Sequence, residues 1–343
     1  MQNVIISDII KTFLWLISGF ILYKIFDKKC ESAKYKLICY SIRNRREDRI
    51  MHKYLRAVGF SEIKKEQLEE TFRAIMEAPT THRTAEDSEG NIFVELTKEY
   101  GTFFGIALRG TYDENDKFKM DYYYPFFEGK GISSTESVEI EKHAEKDSYA
   151  GICDESRVGV SLIFYLQNVI DYIYASNSRM YTGKTSGIML SGLSTDGKIL
   201  LPINKSEKKV KNKNDNGTMD RSSLVAAARN GDEDAIENLT LEDMDTYSIL
   251  SKRILHEDIL SIVENYFMPY GIECDQYAIL GEITDCDLEQ NSLTGEDVYI
   301  MEIMCNDIPF SVCINKKDLL GEPAIGRRFK GIVWLQGSVY YAE

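Results

Sequence analysis

No two of the seven cysteines (Cys30, Cys39, Cys153, Cys274, Cys286, Cys305 and Cys313) form a Cys-x-x-Cys pair, which excludes a zinc ribbon and a dithiol redox motif. An odd, scattered set of this kind reads as free thiols in a reducing compartment. No metal and no other cofactor is expected. A complete phosphate loop is missing too. Ser178–Thr185 ends in Gly183-Lys184-Thr185 but lacks the first glycine, and it follows a stretch that reads as helix rather than strand. Asn212, Asn214 and Asn216 open like a calcium loop, yet the closing position is Ser223 where a bidentate Glu is needed. The apolar run Phe13–Tyr23 falls short of the roughly 20 residues of a membrane span. Basic charge is scarce beyond Met51: 31 Lys and Arg stand against 50 Asp and Glu, a balance of −19. A general nucleic-acid partner is disfavoured, because phosphates must be neutralised by cations.

Residues 1–50 differ in kind, with ten Lys and Arg against five acids, a balance of +5. The codons of Arg45-Arg46-Glu47-Asp48-Arg49 can spell a purine-rich ribosome-binding site ahead of Met51. The expected native start is therefore Met51, with residues 1–50 either an untranslated upstream region or a single-pass anchor. As an anchor, Val4–Phe26 reaches spanning length only if Lys11 and Lys24 snorkel, and Lys24, Lys28 and Lys29 keep the following chain inside. A membrane is a partner only in that second case, and the body is cytoplasmic in both.

Beyond Met51 the composition is globular, with 21 Tyr in the whole chain. His52–Phe60 and Glu66–Glu77 read as short helices, the second stopped by Pro79. Alternation predicts strands from Ile92, over Thr102–Thr111, Lys117–Phe127 and Ser137–Glu141, with a turn at Asp113–Asp116. Val158–Ala175 shows a broad apolar helical face. Ile188–Leu193 and Lys198–Ile203 suit a hairpin about Asp196-Gly197. Lys205–Gly217 holds five Lys and one apolar residue, Val210, and reads as a linker. Ser223–Arg229 and Asp232–Asn238 form a helical hairpin, followed by a longer helix over Thr246–Phe267. From Ile272 onward about five strands suggest a small barrel. The expected fold is α+β: a mixed antiparallel sheet-and-helix domain over 51–203, a linker over 204–222, a helical segment over 223–271, and a small β-barrel or twisted antiparallel sheet over 272–343.

One hairpin can be placed in register. With Asn306-Asp307 as a two-residue turn, Cys305 faces Ile308, Ile303 faces Phe310, Met301 faces Val312 and Tyr299 faces Ile314. All eight form the core face. Glu302, Ser311 and Cys313 fall on the other, where Ser311 should tolerate truncation and Cys313 should react before Cys305 unless a helix covers that face.

Three C-terminal segments carry a resemblance: Tyr266–Gly271, Val312–Pro323 and Gly326–Gly337. With Met51–Phe60 they resemble an uncharacterised bacterial domain-of-unknown-function family found mainly in anaerobic Gram-positive bacteria. The resemblance covers Met51 to the end and implies no activity, substrate or catalytic residue.

Candidate site residues divide into two sets. The aromatic run Tyr122–Phe127 must send alternate rings to opposite sides of a strand, so Tyr122, Tyr124 and Phe126 share a face that is either core or a contact patch. Trp334 and Arg328 on the C-terminal strands suit a similar contact. The second set is His82, His143 and Cys153, with Asp147, Asp154 and Glu155 near the last two; it would serve a hydrolase-type enzyme if folding joined a histidine to the thiol. The preferred reading is a non-catalytic binding or assembly module with an unidentified protein or small-molecule partner. An enzyme should show a deep pocket where two of the second set converge, and a module an open aromatic patch.

Overall fold

A computed structural model describes residues 51–86, 90, 92–113, 117–142, 148–177, 185–203, 227–228, 231–238, 240, 260, 263–271 and 274–341. The described chain opens with a strap, the 3₁₀ helix Lys53–Val58, ended by Gly59 at φ +86°, a conformation open to glycine without a Cβ penalty. Helix α1 (Lys65–Glu77) follows; of the apolar residues that recur at helical spacing, Leu68, Phe72 and Ile75 are buried with Thr71, while Met76 is exposed. The chain then runs as an antiparallel meander of four strands: β1 (Thr81–Glu86), β2 (Ile92–Gly101), β3 (Phe104–Tyr112) and β4 (Phe118–Phe127).

The second sheet has ten strands. These are β5 (Val138–Lys142), β6 (Tyr149–Glu155), β7 (Val160–Leu166), β8 (Thr185–Leu200), β9 (Tyr266–Pro269), β10 (Gln276–Gln290), β11 (Asp297–Cys305), β12 (Ile308–Asn315), β13 (Leu319–Leu320) and β14 (Arg328–Tyr341). Strand β8 pairs parallel with β12 and antiparallel with β14, while β12, β11, β10 and β14 pair in that order. These pairings close a ring of five strands, leaving no free edge within it. From β14 the sheet continues through β7, β6 and β5, and helix α2 (Val169–Asn177) follows β7.

This architecture corrects the expected α+β class: the structure is mostly β, and among the described residues the sheets, not helices, dominate on both sides of the Lys-rich segment. The reason is β8. Although it precedes the Lys-rich segment, it is laid between β12 and β14, so both halves of the chain build one sheet. The described residues, all of which lie within Arg46–Glu343, accordingly group as one compact unit. The expected linker (204–222) falls outside the described residues up to 222, as do residues 1–50 and most of 223–259. Where the helical hairpin is described, Gly231 has φ +87° and the Asp232 carboxylate accepts from Ala235 N–H, as a capped turn requires. The far end of the helix expected over Thr246–Phe267 is instead β9. Among the described residues no helix is long and apolar enough to cross a membrane.

Two local readings also change. Residues 160–166 are strand, and only 169–177 are helix: an apolar run buried on both sides has no period by which strand and helix can be told apart. The expected hairpin at Asp196-Gly197 is a single extended strand. A Cβ on Gly197 would lie 2.5 Å from the Phe329 ring and 2.9 Å from Ile314, so this glycine serves close packing rather than a turn.

The Asn306-Asp307 hairpin stands in the expected register, with Ile303 opposite Phe310 and Cys305 opposite Ile308. Both turn residues have positive φ, 50° and 61°, which suits a two-residue turn between twisted strands. Met301, Ile303, Phe310 and Val312 join a buried cluster drawn from all five ring strands, which identifies the inward face. The opposite face is buried as well. Val298, Ile300, Cys313, Leu193 and Trp334 pack with the strap, α1 and the four-stranded sheet. Ser311 and Cys313 therefore have no solvent exposure, and the helix that covers Cys313 is the strap, whose Ala57 carbonyl lies 3.4 Å from its sulfur.

Candidate functional site

The aromatic run of β4 is an interior feature. Tyr124 and Phe126 are buried and Tyr122 is half-buried, so their face is turned to protein. The cause is Arg109 on β3, a wholly buried guanidinium. Its Nε donates to Glu95 at 2.5 Å, Nη1 to the hydroxyls of Tyr165 and Tyr122 at 3.0 and 3.2 Å, and Nη2 to the Tyr124 hydroxyl and the Gln167 carbonyl at 2.9 and 2.6 Å. All five N–H bonds are engaged, and the guanidinium carbon lies 4.8 Å from the Tyr124 ring centre. Burial opposes the charge, but Glu95 and the three tyrosines outweigh it and hold Arg109 well above its ordinary value. Burial likewise pushes the hydroxyls of Tyr124 and Tyr165 well up.

Trp334 is also enclosed. Its Nε1 donates to Asp275 at 2.7 Å, and Tyr54 of the strap stacks on it at 5.3 Å. Arg328 is buried and donates to three backbone carbonyls, those of Leu201, Val263 and Leu260, at 2.8–3.0 Å. It fastens chain segments together, and burial lowers its pKa. Of the five residues expected at a contact surface, Tyr124, Phe126, Trp334 and Arg328 are buried and Tyr122 is partly buried.

The second set does not assemble among the described residues. His82 lies on β1 with its Nε2 2.9 Å from the Tyr112 hydroxyl, whereas Cys153 lies on β6 in the other sheet. Burial, with help from Glu155, pushes the Cys153 thiol up to about 12, the wrong direction for a nucleophile at neutral pH. Asp154 accepts from Ser161, and Glu155 is held by Arg157. His143 and Asp147 lie outside the described residues, as do 178–184 of the phosphate-loop-like stretch. Among the described residues no group of three His, Cys, Asp or Glu is placed to hold a metal.

An open concavity of about 560 Å³ lies elsewhere, between the β2–β3 turn and the end of β10. Residues 99–103, 289–290 and 292 line it. The turn Thr102-Phe103 is read in the sequence as the start of a strand; Gly101 between two alternating runs was the available sign of a turn. Phe103 has φ +67° and a 40% exposed side chain. A bulky residue there is unusual and costs on the order of 1–2 kcal/mol. Neighbours hold the turn in place: Thr102 N–H donates to the Glu289 carboxylate at 2.7 Å, Glu128 N–H to the Phe103 carbonyl at 2.8 Å, and Ser292 N–H to the Tyr100 carbonyl at 2.7 Å. Tyr100 forms the floor, with its hydroxyl pushed up to about 12 by burial.

The model of the family described as "Domain of unknown function, E. rectale Gene description (DUF3881)" matches residues 55–337. The chain belongs to this family. The DUF3881 match takes in both walls of the concavity, the strap from Leu55 onward, ring strands β8, β10, β11 and β12, and β14 as far as Gly337. No curated protein and no solved structure matches the chain.

Proposed function

We propose that the chain is a cytoplasmic, non-catalytic binding or assembly module whose contact site is the concavity between the β2–β3 turn and residues 289–292. The observation that carries this reading is Phe103, a large aromatic ring held at positive φ on an open rim. Backbone strain persists where surrounding structure enforces it, and such outliers cluster at ligand clamps and other working sites. The reactive groups support the same reading. Burial pushes the thiols of Cys153 and Cys305 up to about 12, and Arg109 has all its donors engaged inside the protein. The free-thiol composition suits a reducing cytoplasm. The hydrolase reading around His82, His143 and Cys153 gains no support from the separate sheets that carry His82 and Cys153.

The test is photo-crosslinking in native cells with a benzophenone amino acid at Ser292, which lines the concavity. A discrete protein or small-molecule adduct that disappears when Phe103 is also changed to Gly is the expected result. An adduct indifferent to Phe103→Gly, or no adduct at all, would overturn this reading.

A further inference from the structure

We infer that the concavity takes an Arg or Lys side chain from a basic segment of a partner protein. This rests on the reading of the chain as a binding module and specifies its partner. Two carboxylates, Glu99 and Glu289, line the concavity, and its lining includes no Lys, Arg or His. Glu289 is fixed beside the turn by the bond it accepts from Thr102 N–H.

The Phe103 ring supplies the second element of recognition. A guanidinium or ammonium group set over an exposed aromatic face, with carboxylates at its edge, gains from both. The volume of about 560 Å³ suits a side chain or two rather than a folded element. Leu293, 57% exposed, follows the lining residue Ser292 in the loop after β10 and offers apolar surface for the rest of a peptide. At longer range, the balance of −19 beyond Met51 steers basic partners inward and repels nucleic acid.

The probe is a fluorescent nona-arginine peptide, titrated into the full chain and followed by anisotropy at several salt concentrations, with a nona-glutamate peptide alongside. Phe103→Gly should weaken arginine-peptide binding roughly tenfold while raising the melting temperature, because the glycine accepts the positive φ. Glu99→Gln should weaken binding and flatten its salt dependence, whereas Glu139→Gln on the distant strand β5 should change neither. No binding of the basic peptide, equal loss with Glu139→Gln, or indifference to Phe103→Gly would overturn the inference. The two readings fail separately. If the Ser292 adduct forms, depends on Phe103 and is not displaced by the arginine peptide, the module stands and the basic partner falls.

Discussion

At the scale of single residues, Arg109 shows how a buried charge is tolerated. An uncompensated guanidinium in a low-dielectric interior is very costly, and the cost is offset only when every donor is satisfied. Here Glu95 supplies the opposite charge and three tyrosines with one carbonyl supply the rest. Removing one partner is therefore worse than removing both. Arg109→Met should destabilise by roughly 3–5 kcal/mol, because Glu95 is left buried and unpaired. Arg109→Met with Glu95→Leu should recover much of that loss, measured as urea-unfolding midpoints at pH 7. Arg109→Lys should resemble the single apolar variant, since three donors on one point charge cannot reach five acceptors. A double variant no more stable than the single one would show that the hydroxyl network, not the ion pair, carries the stability.

At the scale of elements, the strap is the piece that joins the outer face of the ring to the core shared with α1 and the four-stranded sheet. Tyr54, Leu55, Ala57 and Val58 are buried against the outer face of the ring, and polar side chains pin the backbone around them. Asn291 donates to the Val58 carbonyl at 2.7 Å, Asn315 to the Arg56 carbonyl at 3.1 Å, and Thr294 to the Gly59 carbonyl at 2.6 Å. Glu296 is the centre of this clasp. It accepts from Ser61 N–H and hydroxyl, from Asn315 and from Lys317. Burial alone would raise its pKa, but these four bonds outweigh burial and lower it. A carboxyl lowered on folding contributes stability that is fully present above its ordinary value of 4.5 and is lost as pH falls through the folded value. Glu296→Gln should thus cost roughly 1–3 kcal/mol at pH 7. The gap between variant and wild type should close below about pH 4.5, and a gap that stays constant on acidification would show that charge plays no part in the clasp. The strap's anchoring was invisible in sequence, because its partners lie more than 230 positions away. By contrast, the hairpin at Asn306-Asp307 was fully legible: a local turn type and alternation decide it together. The concavity was not legible, since its walls come from strands of different sheets and only the turn at Gly101 left a local trace.

At the scale of the whole molecule, the decisive feature is that the ring closes with a strand from before the Lys-rich segment. Sequence composition marks that segment as a boundary, because nothing between Lys205 and Gly217 except Val210 favours burial. Composition reports on the segment itself and carries no information about what its two ends rejoin. Strand β8 spans 16 residues and pairs along most of its length with β14, while also pairing with β12. A cut between Lys205 and Lys213 therefore severs the chain without removing any of these pairings. Brief trypsin treatment should nick the full chain there, yet the fragments should co-elute on size exclusion as one particle and melt in a single transition. Separating them should require denaturant, because the C-terminal fragment alone lacks β8 and would expose the paired edges of both β12 and β14. Two fragments that part under native conditions, each with its own melting transition, would show that the halves fold independently and that β8 is not the strand that closes the ring.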